Sequence, residues 1–140
     1  MDAHAGDGGP ATAAQIRNIG GVAVDRAGNL YIAEASGHSI RKVTSGGTIT
    51  TIAGTAIQGY NGDARPAITA QLNFPSDVAV DTNGNCYIAD TSNLRVRKVT
   101  PDGLISTVAG TPGTNGDGGL ATTVPLNGPT GVAVDAADNV

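Results

Sequence analysis

Residues 22–55 read VAVDRAGNLYIAEASGHSIRKVTSGGTITTIAGT, and residues 78–111 repeat this pattern as VAVDTNGNCYIADTSNLRVRKVTPDGLISTVAGT. The two copies align without a gap at an offset of 56 residues, and a third copy opens at residue 132 as VAVDAADNV. Self-similarity at a fixed period of this length is typical of solenoids, propellers and arrays. The chain is therefore built from repeated structural units.

The segments that connect the copies repeat as well. They read GDGGPATAAQI from Gly6, GDARPAITAQL from Gly62 and GDGGLATTVPL from Gly116. Pro10 and Pro66 are each followed, within three residues, by Ala and Thr, and proline is favoured at the first position of a helix. We expect one helical turn in each of these two connectors.

Each unit contains four short segments with strand-forming composition. In the second unit they are DVAVD (77–81), NCYIAD (85–90), RVRKVT (95–100) and LISTVAG (104–110), separated by the turn sequences DTNG, DTSN and PDG. Such short spans predict an antiparallel meander. A solenoid is the alternative, but its repeats are usually shorter and contain fewer strands. A four-stranded sheet that recurs every 55 residues or so fits a blade of a β-propeller. The predicted fold class is all-β, with about two and a half blades in an open or fragmentary array.

The pattern VAVD-x-x-GN-x-YIAD-x-x-N-x-RVRKV, followed by TVAGT, resembles the NHL repeat. The connectors are similar to those of NHL arrays in large bacterial proteins, many of them exported, so the resemblance implies an extracellular or cell-envelope location. In the first unit Gly37 stands in place of Asn93, and Ser39 in place of Arg95. A site that needs equivalent residues from every blade is therefore not expected.

The repeat divides the chain into four parts: a connector (1–20), a first blade with its connector (21–76), a second blade with its connector (77–130), and the inner strand of a truncated third blade (131–140). A closed propeller has about four to eight blades. We therefore expect further blades from the same longer chain, or self-association that closes the ring, and we favour the first.

The composition excludes several classes of function. The net charge is −4 with eight Lys and Arg residues, which argues against nucleic-acid binding. No apolar run approaches the ~18 residues of a membrane span, and the N-terminus shows no signal peptide. The single cysteine, Cys86, takes the place of Leu30 of the first unit, so we expect a buried thiol.

The chemistry-bearing residues give little support for catalysis. His4 and His38 are the two histidines of the chain, too few for a His-rich zinc site. The turns that begin at Asp25, Asp81 and Asp135 suggest calcium, but each offers one carboxylate where calcium needs six to eight oxygens. We expect these aspartates to cap the turn amides. No catalytic residue, metal site or cofactor is predicted.

Several charged residues are assigned structural roles. Asp63 and Asp117 are expected to cap the helical turn of their connector, and Asp90 to hydrogen-bond Arg95 across a hairpin. Two basic pairs alternate with Val and Ile and are expected at solvated edge positions with buried stems: Arg41-Lys42 and Arg97-Lys98.

Turn topology predicts where a ligand binds. In a meander the turns alternate between the two ends of the blade, so residues 35–39 and 91–94 share one rim with residues 59–66 and 114–119. This rim carries the longest loops, which favours it as the binding surface. The candidate binding residues are Glu34, His38, Tyr60, Asn61, Asp63, Arg65, Asp90, Asn93, Arg95, Asn115 and Asp117.

Three functional hypotheses follow. The leading one is a non-catalytic module that binds a protein, peptide or glycan. The second is a structural spacer in a large secreted or envelope protein. The third comes from the resemblance: some NHL relatives are lyases, so this stretch is part of a propeller lyase or lactonase whose catalytic residues lie elsewhere.

Overall fold

A computed structural model describes residues 4–111 and 118–140 and shows an all-β chain. Nine strands lie in the described residues: β1 Ile19–Val24, β2 Leu30–Glu34, β3 Ser39–Val43, β4 Ile49–Ala53, β5 Arg65–Pro66, β6 Pro75–Val80, β7 Cys86–Asp90, β8 Arg95–Val99 and β9 Leu104–Ala109. Three short 3-10 helices accompany them: Ala11–Ala13, Ala67–Thr69 and Thr91–Asn93.

The strands form two antiparallel sheets. The first has the order β1-β2-β3-β4, and the second has the order β5-β9-β8-β7-β6. The register repeats between them, since Ala33 pairs with Ile40 in the first sheet as Ala89 pairs with Val96 in the second. Both sheets are meanders, and the predicted class of propeller blades is confirmed.

The first two connectors reach the outer strand of the blade that each enters. Arg65–Pro66 pairs with β9 of the second sheet, and Pro10 forms the equivalent isolated bridge with Thr48 of the first blade. The 3-10 helices Ala11–Ala13 and Ala67–Thr69 follow these prolines directly. The predicted helical turns are confirmed, with proline at the residue before each turn.

The apolar core lies between the two blades. The strands are apolar at consecutive positions because each central strand is covered on both faces. The core residues are Tyr31, Ala33, Ile40, Ala53, Ala67, Ala70, Leu72, Val78, Cys86, Ile88, Val99 and Ile105. Val78 of β6 is 2% exposed, whereas Val22 at the same position of β1 is 54% exposed. The difference arises because the first blade covers β6, while the outer face of β1 has no blade against it in the described residues.

Glycine allows the inner strands of the two blades to approach closely. A Cβ atom at Gly20 would overlap the backbone carbonyl of Ser76, and one at Gly21 would overlap the Asp77 carboxylate. Small residues at this point of β1 therefore set the distance between the blades.

The C-terminal residues pack on the second blade. The Ser76 hydroxyl lies 3.0 Å from the carbonyl oxygen of Thr130, and the Val132 amide donates to Asp77 Oδ2 at 3.0 Å. Residues 131–140, expected to form an inner strand, are not assigned as a strand. The chain turns at 136–137, where the Asp135 amide donates to the carbonyl oxygen of Asn139 at 2.9 Å, and the described residues show no further strand pairing there.

Candidate binding site on the connector rim

A buried arginine underlies the connector rim, which is the predicted rim and comprises residues 35–39, 59–66 and 91–94 in the described part of the chain. Arg97 of β8 is 0% exposed, and its Nη2 lies 2.9 Å from Asp63 Oδ1 of the connector. Its Nη1 lies 3.3 Å from Asp90 Oδ2 at the end of β7. The prediction that Arg97 is a solvated edge residue is wrong, because the connector folds over this face of the sheet and covers the guanidinium.

The first blade repeats the same arrangement. Arg41, also 0% exposed, contacts Asp7 at 2.7 Å and Glu34 at 3.2 Å. Its predicted solvated position is wrong for the same reason. A buried charge is tolerated when it is paired and hydrogen-bonded, and each arginine meets two carboxylates. Lys42 and Lys98, which point to the other face, are partly exposed.

Asp63 does not cap the helical turn of its connector. Asp63 accepts hydrogen bonds from Arg97 and from the Thr107 hydroxyl, and the cap position is occupied by Pro66. That prediction is wrong for Asp63, because a paired cation is a stronger partner than a turn amide. Burial alone would raise the pKa of Asp7, but hydrogen bonds from Thr51 and Arg41 outweigh it and lower that pKa. Asn115 and Asp117 lie outside the described residues.

The predicted hydrogen bond between Asp90 and Arg95 does not form. Asp90 accepts from the Asn73 amide at 2.7 Å and from Asn93 Nδ2 at 2.8 Å, in addition to Arg97. Arg95 turns outward and donates through Nη1 to the carbonyl oxygen of Asn93 at 2.8 Å. Residues 95 and 97 lie on the same face of β8, because they are two positions apart in the strand. The carboxylate of Asp90 pairs with Arg97, the fully buried arginine of the two.

A polar pocket of about 260 Å³ opens at the rim above this network. It is lined by Tyr60, Asp63, Arg95, Thr107, Gly110, Thr111 and Thr122. The ring of Tyr60 lies 4.0 Å from the Arg95 guanidinium and 4.9 Å from that of Arg97, and its hydroxyl donates to Asp63 at 3.3 Å. Tyr60 is 40% exposed. The structure therefore brings together three of the predicted site residues at one solvent-facing pocket.

Other predicted site residues support the rim from below. Asn61 donates to the carbonyl oxygen of Thr69 and accepts from the Gln71 amide, so it braces the connector. Asn93 is 8% exposed and donates to the carbonyl oxygen of Gly59 at 2.7 Å. Glu34, like Asp90, is buried. These side chains are positioned to stabilise the rim.

Arg65 and His38 lie away from the pocket lining. Arg65 is part of the short strand β5, opposite Ile105. His38 is 9% exposed and lies between the blades, where Nδ1 accepts a hydrogen bond from the Phe74 amide at 3.2 Å and the two rings meet edge to face at 4.8 Å. Burial lowers the pKa of His38, and the charge of Asp90 offsets this only in part. His38 holds the blades together.

The Asp-x-x-Gly-Asn turns define the opposite end of the blades, here called the Asp-turn rim (the turns from Asp25 and Asp81). Asp81 Oδ1 accepts from the amides of Asn83 and Asn85, and Oδ2 accepts from Asn85 Nδ2 and the Tyr87 hydroxyl. Burial would raise the pKa of Asp81, but these hydrogen bonds lower it. Asp25 has the same set of contacts. The prediction that these aspartates cap their turns is confirmed.

Two further features bear on metal and thiol chemistry. Within residues 4–111 and 118–140, no group of three or more His, Cys, Asp or Glu side chains is placed to hold a metal ion. Cys86 is 2% exposed, and burial raises the pKa of its thiol, so the predicted buried thiol is confirmed.

Sequence reasoning missed the central role of Arg41 and Arg97. The signal was present, because the three charges of each network recur at the repeat offset of 56 residues. A strand cation that recurs together with two carboxylates at the same offset indicates an ion pair within each blade.

Comparison with solved structures identifies the two sheets as blades of a β-propeller. A structural genomics protein of unknown function from Bacteroides thetaiotaomicron superposes with a TM-score of 0.69 at 22% identity, over 85% of this chain and 42% of that one. A chain of a nidogen/laminin complex superposes with a TM-score of 0.59 at 22% identity, over 86% of this chain and 37% of that one. These likenesses establish the fold.

The chain belongs to the teneurin NHL domain family, whose model matches residues 1–61 and 56–115. Human teneurin-1 is 34% identical over 115 residues, and zebrafish (Danio rerio) teneurin-3 is 34% identical over 117 residues, covering 78% and 79% of this chain. The chain spans 4% of the length of each of these relatives. They are animal proteins, so a bacterial origin stays a prediction. None of the helices in the described residues has the length and apolar character of a membrane span.

Proposed function

We propose that this chain is part of a non-catalytic NHL propeller that binds a protein partner through the connector rim. One observation carries the proposal: Tyr60 and Arg95 contact each other and both line a polar pocket. The buried ion pairs of Arg97 lie beneath this pocket. Tyr and Arg, together with Trp, are enriched among the energetically dominant positions of protein interfaces.

The network beneath the pair supports binding because it fixes the rim before a partner arrives. Arg97 joins the connector to β7 and β8 through Asp63 and Asp90, and it also lies under the Tyr60 ring. A pre-organised surface loses less conformational entropy on association. The threonine hydroxyls of the pocket add hydrogen-bonding groups suited to a peptide backbone.

Selection of a phage-displayed random peptide library on the 140-residue chain tests the proposal. We expect enriched peptides to bind the wild type and to lose at least about tenfold in affinity with Arg95→Ser or Tyr60→Ala, because hot-spot truncation costs about 2 kcal/mol or more. Serine stands at the matched position of the first blade, Ser39, so the fold accepts it.

The matched control is Asp102→Ala, in an exposed turn of the Asp-turn rim. We expect it to leave peptide affinity unchanged. Peptides whose binding depends on Asp102 and not on Arg95 would contradict the proposal, and so would a selection that enriches no peptide. The second outcome would favour a structural spacer.

A further inference from the structure

A second cavity lies between the two blades at the Asp-turn rim. Its volume is about 400 Å³, within the range of roughly 300–1,000 Å³ found for small-molecule sites. Ile52 and Val99 lie on facing blades, Ile68 of the connector closes one side, and Asn83 and Pro101 belong to the turns of the second blade. The lining is mainly apolar with a few polar groups, the usual composition of a ligand pocket.

Lys42 supplies a cation to this cavity. Its Nζ lies 5.2 Å from the centre of the Tyr31 ring, and none of the carboxylates in the described residues forms an ion pair with it. Asp25 also lines the cavity, but its oxygens already accept four hydrogen bonds within its own turn. The ammonium group therefore keeps donors for an incoming anion.

Cys86 lies at the buried base of the cavity. It lines the cavity, is 2% exposed, and occupies the position that Leu30 holds in the first blade. A thiol is smaller than an isobutyl group and behaves as an apolar surface. The cavity thus combines an apolar lining that includes Cys86 with a cation at Lys42.

We propose that this cleft binds a small monocarboxylate with an aliphatic tail. The carboxylate lies against Lys42, and the tail lies among Ile52, Cys86 and Val99. The site is separate from the connector rim, so the chain carries a small-molecule site at one end of its blades and a partner surface at the other.

Titration of the isotope-labelled 140-residue chain with sodium hexanoate, followed by amide and methyl NMR shifts, tests this inference. We expect saturable shifts at the residues that line the cleft, with a Kd of about 1 mM for so small a probe. Lys42→Met weakens hexanoate binding about tenfold and leaves the binding of 1-hexanol unchanged. Cys86→Leu weakens both probes, because leucine fills the lining as it does in the first blade.

Lys98→Met is the matched control. Lys98 lies 5.8 Å from the centre of the Tyr87 ring, as Lys42 lies near the Tyr31 ring in the first blade. Lys98 does not line this cleft. We expect hexanoate to bind this variant as it binds the wild type. Arg95→Ser is also expected to bind hexanoate as the wild type does, because Arg95 does not line the cleft. The peptide-binding proposal and the hexanoate-binding proposal can therefore fail independently.

Three results would overturn the inference. One is the absence of saturable shifts in folded wild-type protein. Another is equal loss of hexanoate binding in Lys42→Met and Lys98→Met. The third is a shift pattern centred on the exposed valines of β1, Val22 and Val24, in place of the cleft.

Discussion

Arg97 contacts Asp63, a residue 34 positions earlier in the chain, at 2.9 Å between Nη2 and Oδ1. The guanidinium is fully buried, while the Asp63 side chain is 33% exposed. The contact ties the connector to the blade that it enters, and Arg41 with Asp7 does the same in the first blade. One buried cation per blade thus holds the loop that carries the proposed binding surface.

Replacement of Arg97 by Met is expected to destabilise the chain by about 3–5 kcal/mol, because it leaves the buried Asp90 carboxylate without its cation. Asp63→Asn is expected to cost about 1 kcal/mol or less, since water screens this partly exposed partner. Urea unfolding measures both values. Lys98→Met, at the next position of the same strand, is the control. If Arg97→Met cost no more than Lys98→Met, the buried network would not stabilise the fold.

Asp81→Ala is expected to cost about 2–3 kcal/mol in urea unfolding, since it removes a carboxylate that accepts four hydrogen bonds. The lowered pKa of Asp81 adds a pH dependence. Its contribution is present above the ordinary aspartate pKa of about 3.9 and is lost as the pH falls towards the folded value. Asp102→Ala should change stability by less than about 0.5 kcal/mol. Similar effects of the two substitutions would contradict the capping role.

His38 is expected to make the junction between the blades sensitive to mild acid. Burial lowers its pKa in the folded chain, so the unfolded chain binds the proton more readily. The stability contribution of neutral His38 is therefore present above pH 6.5 and is lost as the pH falls below it. Protonation also removes the Nδ1 acceptor of the Phe74 amide.

The measurement for His38 is the free energy of unfolding at pH 7.5 and pH 5.5. We expect the wild type to lose stability between these two pH values. His38→Leu is expected to lose less, because leucine does not bind a proton. Leucine is chosen because Leu94 occupies the matched position of the second blade. An equal loss in both proteins would show that another group causes the pH dependence.

Gly20→Ala is expected to destabilise the chain by about 1–3 kcal/mol, because the new methyl group overlaps the Ser76 carbonyl and pushes the inner strands apart. Gly46→Ala is the control, since its methyl group meets nothing closer than 3.8 Å. Thermal unfolding of the two variants checks the difference. A Gly20 variant as stable as the Gly46 variant would argue against close packing of the inner strands.

Local sequence was sufficient to predict the blades and the Asp turns. A turn such as that from Asp81 depends on residues within six positions of each other, and strand alternation is set by nearest neighbours. The aromatic, arginine and acidic residues of the rim pocket, Tyr60, Arg95 and Asp63, were also among the predicted binding residues. They line one pocket because the turns of a meander alternate between its ends, and their role in binding stays a prediction.

The burial of Arg41 and Arg97 could not be deduced in the same way. Alternation says that Arg97 and Lys98 point to opposite faces, but it does not say which face the connector covers. Arg95 and Arg97 share one face of β8, so alternation also does not say which of the two arginines pairs with Asp90.

The repeated sequence by itself determined the four-stranded unit, its period and its turns, because each depends on contacts between residues close in the chain. Tertiary structure alone decided which charges are buried, which of two arginines faces the solvent, and where a cavity remains between the blades. These features depend on how the connector and the neighbouring blade cover a sheet, and residues distant in sequence fix that geometry.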